Sequence, residues 1–358
     1  MKILYVDKGV DGHHVTYMRA LCKNDDAECV LVLPQNVDIP NVEQHIYKTI
    51  DKPPRKFRTY MKFLKEINSF IKKEKPDVVH FLYGDFFYRY FGAGLGRFKR
   101  YKTVMTVHSA RHSRIEKISL KLISKKIDKI IVHSDYIKSA VEACGVNNAV
   151  HVEYPQFNSI VCPSDYAKQK LGIDPNVKVI GCIGGTRPAK GLDIMLEALN
   201  DVKQDFRLLI AGAPEAFDAE YIKTHSQKYA DKVVTHLHFL SDEELAWAFN
   251  ASDIIAVPYR RSFNGASGPL GEGVALGKCI VSTDHGNLGD AVTKNHLGYT
   301  FACEDTGSLT ATLEKALSNE FVRDECYKAY RESLDPQYFE EKYKKLYREL
   351  INYHGTDD

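Results

Sequence analysis

A chain of 358 residues exceeds one ordinary hydrophobic core, so two domains are expected. Its 44 % hydrophobic and 27 % charged residues suit a globular protein, and no apolar run approaches the ~20 residues of a membrane-spanning helix. The net charge of +2 hides an asymmetry: residues 1–155 carry 27 Lys and Arg against 17 Asp and Glu, and the remainder is acidic.

MKILYVDKG at the N-terminus is too short and too sparsely apolar for a signal-peptide core, and reads as a first strand, Lys2–Val6. A Gly/His loop and the helix HVTYMRALCK follow. ECVLVLP (Glu28–Pro34) is the next strand. FRTYMKFLKEINSFIKKEK (Phe57–Lys75) has a helical period, and PDVVHFL, KTVMTVH and KIIVHS are short apolar runs of buried strands. The pattern restarts after His151–Asp165, a stretch with two prolines and little period. KVIGCIGG (Lys178–Gly185), FRLLIAG, VVTHLHFL, DIIAVPY and KCIVSTD are strands, interleaved with helices such as LDIMLEALNDV and DEELAWAFNASD. Strands alternating with helices imply two α/β units with parallel sheets. The join is placed at about residue 160, giving 1–160 and 161–337. QYFEEKYKKLYRELINYH (Gln337–His354) is too apolar on one face to float free, and residues 338–358 are assigned back to the first unit. The eight cysteines include no C-x-x-C and no Cys/His zinc spacing, so reduced thiols in a cytoplasmic protein are expected.

Open α/β sheets bind ligands beyond the carboxyl ends of their strands, which puts the weight on four loops. In GGTRPAKG (Gly184–Gly191), two glycines end a strand and two cations precede a helix. That is either a solvated turn or a pyrophosphate site; it is not a Walker loop. In NGASGPLGEG (Asn264–Gly273), successive amides could form an anion nest, and Glu272, the only charge, is either a first-turn acid or an acceptor for a ribose diol. His108 closes a strand in TVHSARHSR, a position more often structural than catalytic. KGVDGHH (Lys8–His14) is a glycine loop without G-x-G-x-x-G spacing.

Together these residues resemble a retaining glycosyltransferase of the "group 1" family, also called glycosyltransferase family 4. The resemblance runs along nearly the whole chain: GGTRPAKGLDIMLEAL, FLSDEEL, ASDIIAVPY and GEGVALGKCIVSTDHGNLGD in turn match the family's donor-binding segments. It implies the GT-B fold: α/β, two Rossmann-like domains facing across a cleft, the C-terminal helix packing back on the N-terminal domain. Arg187 and Lys190 match the pair that contacts the donor diphosphate, and Gly185 the strand-end glycine. Leu240 matches the strand end that borders the base. Glu272 matches the second glutamate of E-x7-E, which binds the ribose. The first glutamate is replaced by Asn264, a departure that bears on the transferred sugar; Ser267 and Gly268 match the Ser-Gly pair of similar members. His108 matches the histidine near the donor sugar, and Gly12 the glycine loop near donor and acceptor.

The resemblance further implies retention of anomeric configuration. The expected chemistry is transfer from a nucleoside-diphosphate sugar, UDP first, by a front-face substitution in which the leaving phosphate helps deprotonate the acceptor. Fixed cations stabilise that leaving group. The sequence contains no D-x-D, so no metal and no cofactor are expected. In the family the first domain binds the acceptor, here a glycan or lipid-linked molecule of cell-surface polysaccharide synthesis. The aromatic and basic runs Lys52–Lys75 and Phe86–Lys102 are either core aromatics under a solvated face or a docking surface for anionic lipid at the inner face of the membrane. No nucleic-acid motif appears, and nucleic acid is not expected as a partner. The alternatives are a catalytically silent nucleotide- or glycan-binding partner subunit and, less favoured, a sugar-nucleotide epimerase on the same fold.

Overall fold

The computed structural model describes residues 1–10, 13–23, 25–49, 56–109, 113–156, 160–263 and 265–352. The chain forms two compact units, residues 1–157 with 336–358, and residues 158–335.

The first unit is built on a seven-stranded sheet of β1 (Lys2–Val6), β2 (Glu28–Leu33), β3 (Glu43–Ile46), β4 (Val78–Phe81), β5 (Lys102–Val107), β6 (Lys129–Val132) and β7 (Ala149–His151). Its order is β3-β2-β1-β4-β5-β6-β7, and every pairing is parallel. Such a sheet is covered on both faces, which is why its central strands read as unbroken apolar runs. The helix Phe57–Glu74 buries Tyr60, Phe63, Leu64, Ile67 and Ile71 on one face. The C-terminal helix Pro336–Asn352 lays Phe339, Tyr343, Leu346, Tyr347 and Leu350 on the other, in one cluster with Ile3, Tyr5, Tyr17 and Val104.

The second unit has six strands: β8 (Val179–Ile183), β9 (Arg207–Ala211), β10 (Val233–His236), β11 (Ile254–Val257), β12 (Cys279–Thr283) and β13 (Gly298–Phe301). Their order is β10-β9-β8-β11-β12-β13, again parallel throughout. In both sheets the order reverses once, between β1 and β4 and between β8 and β11. The crevice at such a reversal is where ligands bind in open α/β sheets. All eight cysteines are free thiols.

Of the two readings given for the basic runs, the core reading fits most of their aromatics. The aromatics offered to a lipid surface are mostly core: Tyr60, Phe63, Phe87 and Phe98 are all but fully buried, because the helix and the turns that carry them cap the sheet. Among the described residues of the two runs, only Phe57 and Phe91 are large exposed hydrophobics. The exposed apolar stripe lies elsewhere, on the helix Arg114–Ser124, where Ile115, Ile118 and Leu122 are 66 %, 56 % and 39 % exposed. Among the described residues, no helix is long and apolar enough to cross a membrane.

Candidate active site

In the second unit the loop after β8 reaches the reversal point with Gly184, Gly185, Thr186, Arg187 and Lys190. Gly184 has φ 108°, and a Cβ placed on it would lie 2.5 Å from Lys190 Nζ and 3.9 Å from Pro269 Cγ. The ammonium therefore rests over bare backbone, with the first turn of the helix Gly268–Ala275 beside it. Burial pushes the Lys190 ammonium down to about 8, helped by the charge of Arg187 and opposed by Glu215. Tyr259, buried just past β11, holds its ring 5.8 Å from Lys190 Nζ. Arg187 is largely exposed and its Nε bonds Glu215 at 3.2 Å. The Thr186 hydroxyl knits the loops after β8 and β9: it accepts from the amides of Glu215 and Phe217 and donates to the Phe217 carbonyl.

Ser267 caps the helix Gly268–Ala275. Its hydroxyl accepts from the Leu270 amide at 3.3 Å and donates to Tyr259 Oη at 3.4 Å. The Gly271 amide is spent on the Ser267 carbonyl, and Pro269 has no N–H. The anion nest expected along Ser267–Gly271 is thus narrower than the glycines suggest. Among the described residues the amides left for a ligand there are those of Ser267 and Gly268. Glu272 lies one turn along the same helix. Burial pushes its carboxyl up to about 8. Among the described residues its side chain has no hydrogen-bond or ion-pair partner. A carboxyl half-buried without a partner is costly, and a ligand hydroxyl would supply what it lacks. Leu240 follows β10 with its side chain partly buried against the core. Gly12 and Asn264 lie outside the described residues.

His108 belongs to the first unit, just past β5. Its amide donates to Asp85 Oδ2 at 3.0 Å, and its Nε2 lies 2.8 Å from the Leu82 carbonyl, to which it donates. Asp85 also accepts from Ser109 Oγ at 2.6 Å, so this buried carboxylate fixes the loop. The Tyr83 ring stacks on His108 at 5.2 Å between centroids. Nearby, burial holds the imidazole of His80 well below its ordinary range and pushes that of His133 down to about 3, so both are neutral members of a network with Thr106, Tyr17 and Tyr347. The structure thus brings Gly184, Lys190 and the Ser267 helix together in one unit and seats His108 in the other. Reading the sequence did not single out Glu215, Tyr259, Thr186 or Asp85. Of these, Thr186 lies inside the glycine and cation loop Gly184–Gly191, and Tyr259 directly follows an apolar strand.

The family profile "Glycosyl transferases group 1" matches residues 164–333, and "Glycosyltransferase Family 4" matches residues 9–155. Among curated proteins, the D-inositol 3-phosphate glycosyltransferase of Mycobacterium sp. (strain JLS) is 29 % identical over 203 residues, 53 % of this chain and 45 % of that protein. The chain therefore spans about half the length of the curated relatives it matches. Among solved structures, sucrose-phosphate synthase (tll1590) from Thermosynechococcus elongatus superposes with a TM-score of 0.78 at 16 % identity, over 98 % of this chain and 99 % of that one. Anabaena Alr3699/HepE in complex with UDP-glucose superposes with a TM-score of 0.72 at 14 % identity, over 97 % and 99 %. The two Rossmann-like units are those of the GT-B fold. With matching profiles along both units and this fold, the chain belongs to the group 1 glycosyltransferases.

Proposed function

We propose that the protein is a retaining glycosyltransferase that moves a sugar from a nucleoside-diphosphate sugar, UDP-linked by preference, to a glycan or lipid-linked acceptor of cell-surface polysaccharide synthesis. The observation that carries this reading is the juxtaposition of the desolvated Lys190 ammonium, bare backbone at Gly184 and the Ser267-capped helix at the reversal point of the second sheet. Cleaving the sugar–diphosphate bond puts charge on the diphosphate as the sugar becomes oxocarbenium-like. Preorganised cations and amides aimed at that charge lower the barrier. Lys190 and Arg187 supply it, so the reaction requires no metal, and chelator leaves the rate unchanged. Glu272 takes the ribose hydroxyls, and His108 positions the transferred sugar. A solved relative named as a UDP-glucose complex supports UDP as the first donor to test.

A thermal-shift panel of UDP-, GDP-, ADP- and dTDP-sugars tests the donor. One nucleotide class at 100 times its dissociation constant is expected to stabilise the protein by ~2.7 kcal/mol, while no shift with any of the four would remove the donor site.

The same reading places the enzyme on the cytoplasmic face of a membrane, docked through the helix Arg114–Ser124. Ile115, Ile118 and Leu122 stand three and four residues apart on one exposed face, flanked by Arg114, Lys117, Lys121 and Lys125, while Leu120 and Ile123 anchor the other face. Each such cation near an anionic surface contributes about 1 kcal/mol, and each buried isoleucine ~1.5–3 kcal/mol. Ile118→Asp is expected to weaken binding to phosphatidylglycerol vesicles at low salt by about tenfold or more. Equal binding of the variant, or none by the unaltered protein, would reject the docking.

A further inference from the structure

The geometry points to Glu215 as the positioning residue that aims Arg187 at the diphosphate and whose charge weakens the hold on the spent nucleotide. The inference rests on the donor-site reading above and deepens it by naming what sets the balance between substrate and product.

All the atoms concerned belong to the second unit, where the loops after β8 and β9 are tied together. The Thr186 amide donates to the Ala213 carbonyl at 3.0 Å. The Thr186 hydroxyl accepts from the Glu215 amide at 2.9 Å and donates to the Phe217 carbonyl at 2.9 Å. The Glu215 backbone is thus fixed to the residue that precedes Arg187. Its side chain turns back over Gly185, where a Cβ would lie 2.1 Å from Glu215 Oε1. Gly185 therefore leaves room for the carboxylate.

The carboxylate meets Arg187 along one edge. Arg187 Nε lies 3.2 Å from Glu215 Oε1 and 3.2 Å from Oε2. A guanidinium carries five N–H donors in a planar fork, and Nε supplies one of them. Among the described residues the two terminal nitrogens have no hydrogen-bond partner. That end of the fork is the one suited to grip a phosphate with two parallel bonds. The Arg187 side chain is 64 % exposed, so without a partner it would sample many rotamers. The contact at Nε restrains it and leaves the anion-binding end open. An exposed ion pair contributes little to the stability of a fold, so the consequences of this one are local: direction and charge.

The charge reaches across the site. Burial pushes the Lys190 ammonium down, the charge of Arg187 adds to this, and Glu215 opposes both. The carboxylate therefore acts on whatever anion Arg187 and Lys190 gather. In the donor, the phosphate next to the sugar is esterified and carries one negative charge. Once its bond to the sugar is broken, the same phosphate is terminal and carries about −1.5 to −2 at pH 7. Glu215 repels that added charge, so its penalty falls more on the product than on the donor and favours emptying of the site after transfer.

The test is calorimetric titration of the whole protein with UDP and, separately, with UDP-glucose. Glu215→Gln keeps a carbonyl oxygen to accept from Arg187 Nε and removes only the charge. It is expected to tighten UDP about fivefold more than UDP-glucose. Glu215→Ala also unhooks Arg187, and UDP-glucose should bind it about fivefold more weakly than it binds the glutamine variant. A residue that merely knits two loops would move both ligands together and would not be rescued by glutamine over alanine. Equal shifts for UDP and UDP-glucose in Glu215→Gln, or equal UDP-glucose affinity in the two variants, would overturn the assignment and leave the donor site standing. If the unaltered protein binds neither ligand, the donor-site reading falls and takes this inference with it.

Discussion

Lys190→Ala is expected to slow turnover of the nucleoside-diphosphate sugar by ~10²–10³-fold, a loss of ~2.7–4 kcal/mol of barrier stabilisation. The effect should be this large because the ammonium is desolvated: burial has already pushed it down to about 8. A cation held out of water gains most when an anion arrives, and gains more as charge accumulates on the leaving diphosphate. The loss should therefore fall on kcat as well as on donor affinity. The same residue gives the pH dependence of binding. Below pH 8 Lys190 is charged and the diphosphate meets a full cation. Above it the free protein has lost that proton, and binding must take one up. Donor affinity should fall as pH rises through about 8, with proton uptake visible as a buffer-dependent binding enthalpy near pH 8.5. Affinity that is flat from pH 7 to 9 would remove Lys190 from the diphosphate.

The second large effect is expected at Glu272. Its carboxyl is raised to about 8 in the folded protein, against an ordinary value of 4.5. Between those two values the folded state holds a proton that the unfolded state has released. Stability contributed by this group is thus complete below about pH 4.5, falls as pH rises, and is lost above about 8. Glu272→Gln removes that slope and should stabilise the free protein at pH 8 by on the order of 2 kcal/mol, a figure discounted for the partial exposure of the side chain. The same substitution turns one of the two acceptor oxygens proposed for the ribose diol into an NH2 donor, so UDP affinity should drop about tenfold or more. Greater stability paired with weaker nucleotide binding separates a ligand-binding carboxyl from one that merely belongs to a helix's first turn. A variant that is less stable and binds UDP normally would assign Glu272 to the fold.

Much of this architecture is legible in the sequence because parallel strands buried on both faces leave unbroken apolar runs. KILYV, ECVLVL, KTVMTV and CIVST are strands for that reason. EQHI at β3 and GYTF at β13 are not apolar runs; they lie at sheet edges, where one side is unpaired and partly exposed, and only the fold reveals them as strands. The candidate site divides in the same way. Arg187, Lys190 and Glu272 stand out as charges among glycines. Tyr259 does not, since nothing in its own neighbourhood says that its hydroxyl meets Ser267 and its ring faces Lys190. The amphipathic character of Arg114–Ser124 is present in the sequence, but which face is covered depends on what packs there. The expectation of a lipid surface was therefore laid on aromatics that turn out to be core.

The central claim is that the reversal point of the second sheet is a nucleoside-diphosphate site. A crystal structure with UDP bound tests it most directly. The account predicts diphosphate oxygens within hydrogen-bond distance of Lys190 Nζ, the Arg187 guanidinium and the amides of Ser267 and Gly268, with the ribose hydroxyls on Glu272. UDP bound away from Lys190 and Glu272 would contradict it.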